Sequence, residues 1–193
     1  KKIKKNNFGG DKVVKETKKK KFFEFNNLCR INKGLIKPER IVKDINEIMP
    51  DNSYIVVDPG TPCPYFAAYY NFKKSGRYFV TNRAHGALGY ALPASIGVKI
   101  GQPKNTVLSI MGDGSFGFAV GELETAKRLN LNIIFIVISN SVYGWIKAGQ
   151  KSSFNKRYYS VDFSRTNHAK VASSYGIKSW TVKNHRDLTK ILN

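Results

Sequence analysis

Residues 106–117 read Thr-Val-Leu-Ser-Ile-Met-Gly-Asp-Gly-Ser-Phe-Gly, an apolar run that ends in a turn with three glycines. The run from Thr106 to Met111 has the length and the β-branched content of a buried strand. Behind the turn, Phe118–Leu129 predicts a helix and Ile133–Ser139 predicts a second, continuously apolar strand. Because a strand buried on both faces is typical of a parallel sheet, these residues predict one strand–helix–strand unit.

The alternation of strand and helix continues outward in both directions. Four elements precede the unit, in the order helix, strand, helix, helix: Pro38 to about Pro50, Ser53–Val57, Tyr65–Asn71 and Gly89–Ile100. Three follow it, in the order helix, strand, helix: Asn167–Tyr175, Ile177–Val182 and a helix over Asp187–Leu192. The predicted fold class is therefore α/β, a doubly wound, mostly parallel sheet with helices on both faces.

The charge of the chain is unevenly distributed. Of a formal net charge of +20 over 193 residues, half lies in residues 1–37, which carry 12 Lys and one Arg against three acidic residues. We interpret residues 1–37 as a basic linker or tail, and 38–193 as a domain whose C-terminus is truncated. A basic segment can also bind nucleic acid, so a nucleic-acid-binding domain acting through residues 1–37 stays open as an alternative.

The sequence predicts no membrane segment, because its longest apolar run, Ile133–Ile138, has six residues and a span needs about 20. Cys29 and Cys63 are too few for a disulfide framework, which fits a reducing compartment, and we expect a cytoplasmic protein. The chain starts at Lys1 without a signal peptide or an initiating Met. We therefore expect a processed chain or a piece of a longer protein.

Ligands of such sheets bind beyond the carboxyl ends of the strands. Three glycine-containing loops follow predicted strands: 58–61, 112–117 and 140–144. The middle loop has the glycine spacing of a dinucleotide site, so a dinucleotide-dependent oxidoreductase is a second alternative. Against that alternative, the next strand ends in Ser139 and Asn140, where a dinucleotide site needs an acidic residue for the ribose.

Asp113 lies inside the middle loop, where its carboxylate would repel a diphosphate unless a divalent cation lay between them. Mg²⁺ prefers about six oxygen ligands. The Asp113 carboxylate, the Asn140 side-chain oxygen and the Val142 carbonyl can supply three of them. The N–H groups of Gly114 and Ser115, at the start of the following helix, can bind the diphosphate. These residues predict a metal-bridged diphosphate.

The sequence Gly-Asp-Gly-Ser, with Asn140 placed 27 residues after Asp113 and before a glycine turn, resembles the thiamine-diphosphate-binding motif. Over about residues 36–193 the chain is similar to the C-terminal diphosphate-binding domain of the acetolactate synthase, pyruvate oxidase and benzoylformate decarboxylase group. The resemblance implies that Leu88 props the cofactor in a bent shape and that the Gly86 carbonyl accepts from its aminopyrimidine. The cofactor residues so implied are Gly60, Thr61, Gly86, Leu88, Gly112, Asp113, Gly114, Ser115, Asn140, Val142, Tyr143 and Gly144, with Asp113, Asn140 and Val142 on the metal.

The resemblance implies a thiamine-diphosphate- and Mg²⁺-dependent 2-oxo acid decarboxylase or carboligase, with this chain supplying the diphosphate and metal half of the site. In that group a Glu from a separate pyrimidine-binding domain or subunit completes the site. We therefore expect a homodimer or tetramer, no activity from this chain alone, and FAD, if any, in a part outside it. No catalytic residue is assigned here, although His85 is an acid–base candidate. Thr61-Pro62 stands where acetolactate synthases carry Gln-His, so the 2-oxo acid stays open.

Overall fold

The computed structural model describes residues 10–31 and 34–193. The strands are β1 (Tyr54–Val57), β2 (Phe79–Val80), β3 (Val107–Gly112) and β4 (Ile134–Ile138). The helices are α1 (Gly10–Cys29), α2 (Pro38–Ile48), α3 (Pro62–Tyr69), α4 (Ala91–Gly101), α5 (Asp113–Ala119), α6 (Glu122–Arg128), α7 (Gly144–Ser153), α8 (His168–Ser174) and α9 (His185–Leu192). Within these ranges, no helix combines the length and the apolar character that a membrane span requires.

The strands form one parallel sheet in the order β2-β1-β3-β4. The chain runs outward from β1 to β2, returns to β3 beside β1, and then runs outward to β4. The strand order therefore reverses between β1 and β3, and such a reversal opens a crevice at the carboxyl ends of the two strands. The predicted fold class is confirmed.

Each face of the sheet carries its own apolar core. Ile55 and Val57 of β1 point to one side, where Val42, Ile45 and Phe66 of α2 and α3 cover them. On the other side, Val56 of β1 packs with residues of β3, α4, α5 and α6, chiefly Leu92, Val107, Met111, Phe116 and Leu123. Because successive side chains of a strand alternate between faces, both cores hold β1 and fix the loop that follows it.

Residues 10–29 form the helix α1, an element that the sequence analysis did not predict in the basic segment. Phe25 and Cys29 are buried, and the Phe25 ring stacks on that of Tyr69 with the centroids 4.5 Å apart. This part of the segment therefore packs against the domain through a narrow apolar stripe. The boundary at residue 37 stays a prediction, and residues 1–9 and 32–33 lie outside the described ranges.

Three other predicted elements differ in the structure. The helix predicted over Phe118–Leu129 begins earlier, at Asp113, so residues 113–117 of the predicted middle loop are helical. It is also divided into α5 and α6, which are separated by Val120 and Gly121. The strand predicted over Ile177–Val182 is wrong, because no residue of this range pairs with the sheet. As a result β4 is an edge strand, and its residues are half-buried rather than buried on both faces as predicted.

Candidate functional site

The loops that follow β1, β3 and β4 meet at one cleft of about 1760 Å³ at the carboxyl edge of the sheet. The cleft extends along β4 towards residues 176–183. All twelve residues predicted to contact the cofactor line it: Gly60, Thr61, Gly86, Leu88, Gly112, Asp113, Gly114, Ser115, Asn140, Val142, Tyr143 and Gly144. His85 is exposed and is not among the lining residues. The structure therefore brings the predicted loops together and leaves the acid–base candidate outside.

Asp113 connects the ends of β3 and β4. Its side chain is buried, and Oδ2 accepts hydrogen bonds from Ser139 Oγ at 3.0 Å, Asn140 N at 2.8 Å and Ser141 N at 2.6 Å. Oδ1 accepts one bond, from the N–H of its neighbour Gly114 at 3.0 Å. Since a carboxylate oxygen has two lone pairs, Oδ1 retains capacity for a cation.

The turn over residues 140–144 leaves a second oxygen available. Ser141 has a left-handed backbone with φ 56°. The residues on either side of Val142 are bound to the segment 161–163, through Tyr143 N to Val161 O at 2.8 Å and Phe163 N to Ser141 O at 3.1 Å. No described residue donates to the Val142 carbonyl, whereas the Val142 N–H donates to Asn140 Oδ1 at 3.2 Å. The turn that carries the Val142 carbonyl and the Asn140 side chain is thus held to Asp113 through the N–H groups of Asn140 and Ser141.

These oxygens form a hard donor set of the kind that Mg²⁺ takes. Asp113 is the sole carboxylate among the described residues that line the cleft. Nor do the described ranges contain a group of three or more His, Cys, Asp and Glu side chains placed to hold a metal. A cation here would therefore need further oxygens from a ligand or from water, as a metal-bridged diphosphate provides.

Two glycines allow the loops to approach each other. A Cβ at Gly114 would lie 2.4 Å from Tyr143 Cε1, and a Cβ at Gly144 would lie 3.0 Å from Thr61 Oγ1. The Tyr143 ring is itself packed on that of Phe163, with the centroids 5.1 Å apart. A Cβ at Gly114 would therefore force the Tyr143 ring to move, and a Cβ at Gly144 would require a small shift of the Thr61 hydroxyl.

Gly114→Ala is expected to lower the affinity for Mg²⁺-bound thiamine diphosphate by about tenfold, since forcing an extra methyl group into a packed site costs about 1–3 kcal/mol. The matched control is Gly117→Ala, in the same helix, where a Cβ would meet nothing within 4 Å. Calorimetric titration of both variants measures the effect. Equal affinities would contradict a close approach of Gly114 and Tyr143 in the bound state.

The Leu88 segment, residues 86–91, begins in a tight turn. Gly86 and Gly89 have φ 77° and 84°, and the Asn82 side chain donates to the Ala87 carbonyl at 3.1 Å. Leu88 is half-buried, and its Cδ2 lies 3.5 Å from where a Cβ of Gly60 would stand. Leu88 thus packs against the first loop at the wall of the cleft.

Asp58 is a site residue to which the sequence analysis gave no role. Its side chain is fully buried and accepts from Ser115 Oγ at 2.9 Å, Gly89 N at 3.3 Å and Ala91 N at 3.0 Å. Burial raises the pKa of the Asp58 carboxyl above its ordinary value, and these donors offset part of that rise. The one sequence signal that could have indicated a role for Asp58 was its position directly after a predicted strand and before Pro59-Gly60.

Two further side chains were also missed. His168, to which the sequence analysis gave no role, is half-buried with its ring edge-on to Phe116 at 5.4 Å. Burial lowers the pKa of His168 below its ordinary value, and the charge of Asp113 opposes this. Arg83 donates to the Pro59 carbonyl at 3.0 Å and lies over the Trp145 ring at 5.3 Å, so it bridges the first loop and α7.

Comparison with known proteins identifies a family and relatives of this chain. A family model described as "Thiamine pyrophosphate enzyme, C-terminal TPP binding domain" matches residues 58–193. The acetolactate synthase large subunit of Buchnera aphidicola subsp. Schizaphis graminum is 34% identical over 176 residues, which are 91% of this chain and 30% of that protein. The large subunit from Haemophilus influenzae is 29% identical over 164 residues, which are 84% and 28% of the respective chains.

The fold has a counterpart among solved structures. The thiamine diphosphate-dependent 4-hydroxybenzoylformate decarboxylase of Rhodococcus jostii RHA1 superposes with a TM-score of 0.76 at 21% identity, over 82% of this chain and 30% of that chain. At this identity the likeness concerns the fold. The chain spans about 30% of the length of two Buchnera aphidicola acetolactate synthase large subunits, from subsp. Schizaphis graminum and subsp. Acyrthosiphon pisum, to which it is similar.

Proposed function

Because the chain belongs to the thiamine pyrophosphate enzyme family, of which it carries the C-terminal TPP-binding domain, we propose that it supplies the diphosphate- and metal-binding half of a 2-oxo acid decarboxylase or carboligase. The observation that carries this proposal is that every predicted cofactor residue lines the same cleft. When bound, thiamine diphosphate supplies the electron-accepting group that takes up the electron pair released when a 2-oxo acid loses carbon dioxide.

The residues of the cleft fit this cofactor and Mg²⁺. Asp113, Asn140 and Val142 would hold the cation with the three oxygens described above. Gly114 and Gly144 would let the loops that bind the diphosphate pack closely together, because a Cβ at Gly114 would meet Tyr143 and a Cβ at Gly144 would meet Thr61. Asp113 would accept the hydrogen bonds from residues 139–141 through Oδ2 and bind the cation through Oδ1. One side chain would therefore both hold the turn in place and supply the negative charge of the site.

The remainder of the active site is proposed to come from elsewhere. No glutamate is among the described residues that line the cleft, whereas the proposed reaction needs one on the pyrimidine side. We propose that a pyrimidine-binding domain or subunit carries it, in a cytoplasmic homodimer or tetramer, and that any FAD would belong to that part. The relatives, which are about three times as long as their matching region, support this division.

The test is a calorimetric titration of the complete protein with thiamine diphosphate, with Mg²⁺ present and then with EDTA. We expect binding that requires the metal, and no binding of NAD under the same conditions. Tight binding of NAD would instead favour a dinucleotide-dependent oxidoreductase. Binding of duplex DNA whose affinity falls steeply with salt, without binding of thiamine diphosphate, would favour a role through the basic segment 1–37.

A further inference from the structure

We propose that Asp58 is a positioning residue that sets the Leu88 segment (residues 86–91) and the diphosphate loop (residues 112–117, the end of β3 and the first residues of α5) at the separation that the cofactor requires. The inference rests on the function proposed above and concerns the same cleft. It assigns a role to a carboxylate that neither binds the metal nor lines the cleft wall among the described residues.

The geometry that supports it is a three-way connection. Oδ1 of Asp58 accepts from Ser115 Oγ at 2.9 Å in the diphosphate loop and from Gly89 N at 3.3 Å in the Leu88 segment. Oδ2 accepts from Ala91 N at 3.0 Å, the first residue of α4. One side chain therefore joins the loops after β1 and β3 to the start of α4.

Asp58 itself has a fixed position. Its N–H donates to the carbonyl of Ile110 in β3 at 2.9 Å, so the backbone at residue 58 continues the pairing of β1 with β3. The side chain is fully buried. The sheet thus determines where the carboxylate lies, and the carboxylate holds the Leu88 segment and the diphosphate loop at a fixed separation.

A carboxylate suits this position better than an amide does. Both of its oxygens accept, whereas an Asn side chain would present one acceptor and one donor. In Asp58→Asn, either Gly89 N or Ala91 N would face an NH₂ group and lose its acceptor. An unsatisfied buried donor is costly, so the backbone on one side would be expected to shift.

The two segments are proposed to contact different ends of the cofactor, the Leu88 segment the aminopyrimidine and the loop 112–117 the diphosphate. A change in their separation would therefore weaken a ligand that spans both segments. It would affect far less a ligand that occupies the diphosphate loop alone. Inorganic pyrophosphate with Mg²⁺ is such a ligand, and its comparison with thiamine diphosphate separates positioning from general destabilisation.

The experiment measures the affinities of the complete protein for thiamine diphosphate and for inorganic pyrophosphate, both with Mg²⁺. Asp58→Asn should lower the first affinity by about tenfold or more, as expected from an unsatisfied buried donor, and the second by less than about threefold. Ser115→Ala, which removes a single donor and keeps the backbone N–H, should change the ratio in the same direction by a smaller factor.

The matched control is Asp44→Asn. Asp44 is also a buried carboxylate, but it pairs with Arg40 at 2.6 Å in α2 and does not line the cleft. The Asp44→Asn substitution should lower the melting temperature without changing the ratio of the affinities for thiamine diphosphate and pyrophosphate. A pure fold-stabilising role for Asp58 predicts the same behaviour for Asp58→Asn, and that result would overturn the inference.

The remaining outcomes are also decisive. If Asp58→Asn does not fold, an unchanged ratio in Ser115→Ala overturns the inference and a changed ratio supports it. If the unaltered protein binds thiamine diphosphate, and Asp58→Asn and Ser115→Ala have the same ratio of thiamine diphosphate affinity to pyrophosphate affinity as the unaltered protein, this inference fails while the proposed function stands. If the unaltered protein does not bind thiamine diphosphate at all, the proposed function fails and this inference with it.

Discussion

Asp113→Ala is expected to abolish the Mg²⁺-supported binding of thiamine diphosphate. The substitution removes the sole carboxylate among the described residues that line the cleft. It also releases three donors, Ser139 Oγ, Asn140 N and Ser141 N, which hold the turn with the other two proposed ligands. Because the turn loses the hydrogen bonds that order it and the proposed cation loses its one charged protein ligand, the affinity should fall by on the order of a thousandfold or more, given that a hydrogen bond to a charged group contributes about 1.5–3 kcal/mol.

Calorimetry at a fixed Mg²⁺ concentration measures this effect. Asp113→Asn should be intermediate, because the amide keeps one acceptor oxygen but no charge. The control is Asp51→Ala, which removes an exposed carboxylate paired with Lys73 at 2.8 Å on the surface. An affinity of Asp113→Ala equal to that of the control would show that the metal lies elsewhere.

Much of this site could be predicted because its geometry follows from a simple topology. Asp113 and Asn140 are 27 residues apart in sequence, but each follows a strand of the same parallel sheet. The carboxyl ends of neighbouring parallel strands meet at one edge, so the pattern of apolar runs and glycine turns was enough to bring the two residues together. Their roles towards cofactor and metal stay predictions.

Contacts between distant segments could not be predicted in this way. The donors to Asp58 come from residues 31, 33 and 57 positions later, and no local pattern indicates which of them a buried carboxylate will meet. The burial of His168 depends likewise on where α8 packs against Phe116. In α1 the buried residues are Phe25 and Cys29, and most of the others are polar or basic. The helix was therefore not predicted, because its sequence is dominated by lysines and shows little apolar periodicity.

The strand predicted over Ile177–Val182 failed for a different reason. Its residues have the composition of a strand, but a strand forms only where a partner edge is in register. In the structure, residues of β4 and residues 177–182 line the same cleft, and residues 177–182 do not pair with the sheet. Local propensity was therefore overridden by packing, and the width of the cleft beyond β4 could not be foreseen.

Leu88→Ala is expected to lower turnover by about a hundredfold, because a misplacement of roughly an ångström can cost that much. Leu88 packs against the first loop near Gly60, whereas the proposed metal ligands lie in the other two loops. The diphosphate contacts should therefore survive, and the affinity for thiamine diphosphate should fall by only a few-fold. What is lost is the support beneath the aminopyrimidine end of the cofactor.

Two quantities are measured on the same preparation: kcat at saturating cofactor, and the dissociation constant of thiamine diphosphate. Pyruvate and benzoylformate serve as trial 2-oxo acids for kcat. Leu88→Ile keeps the bulk of the side chain and should retain most of the turnover. Leu129→Ala, at an exposed leucine at the end of α6, controls for the loss of a leucine elsewhere. A loss of turnover no larger than the loss of affinity would make Leu88 an ordinary packing residue of the cleft wall. If turnover falls more than affinity in Leu88→Ala and Leu88→Ile restores it, the bulk of the Leu88 side chain must position the bound cofactor.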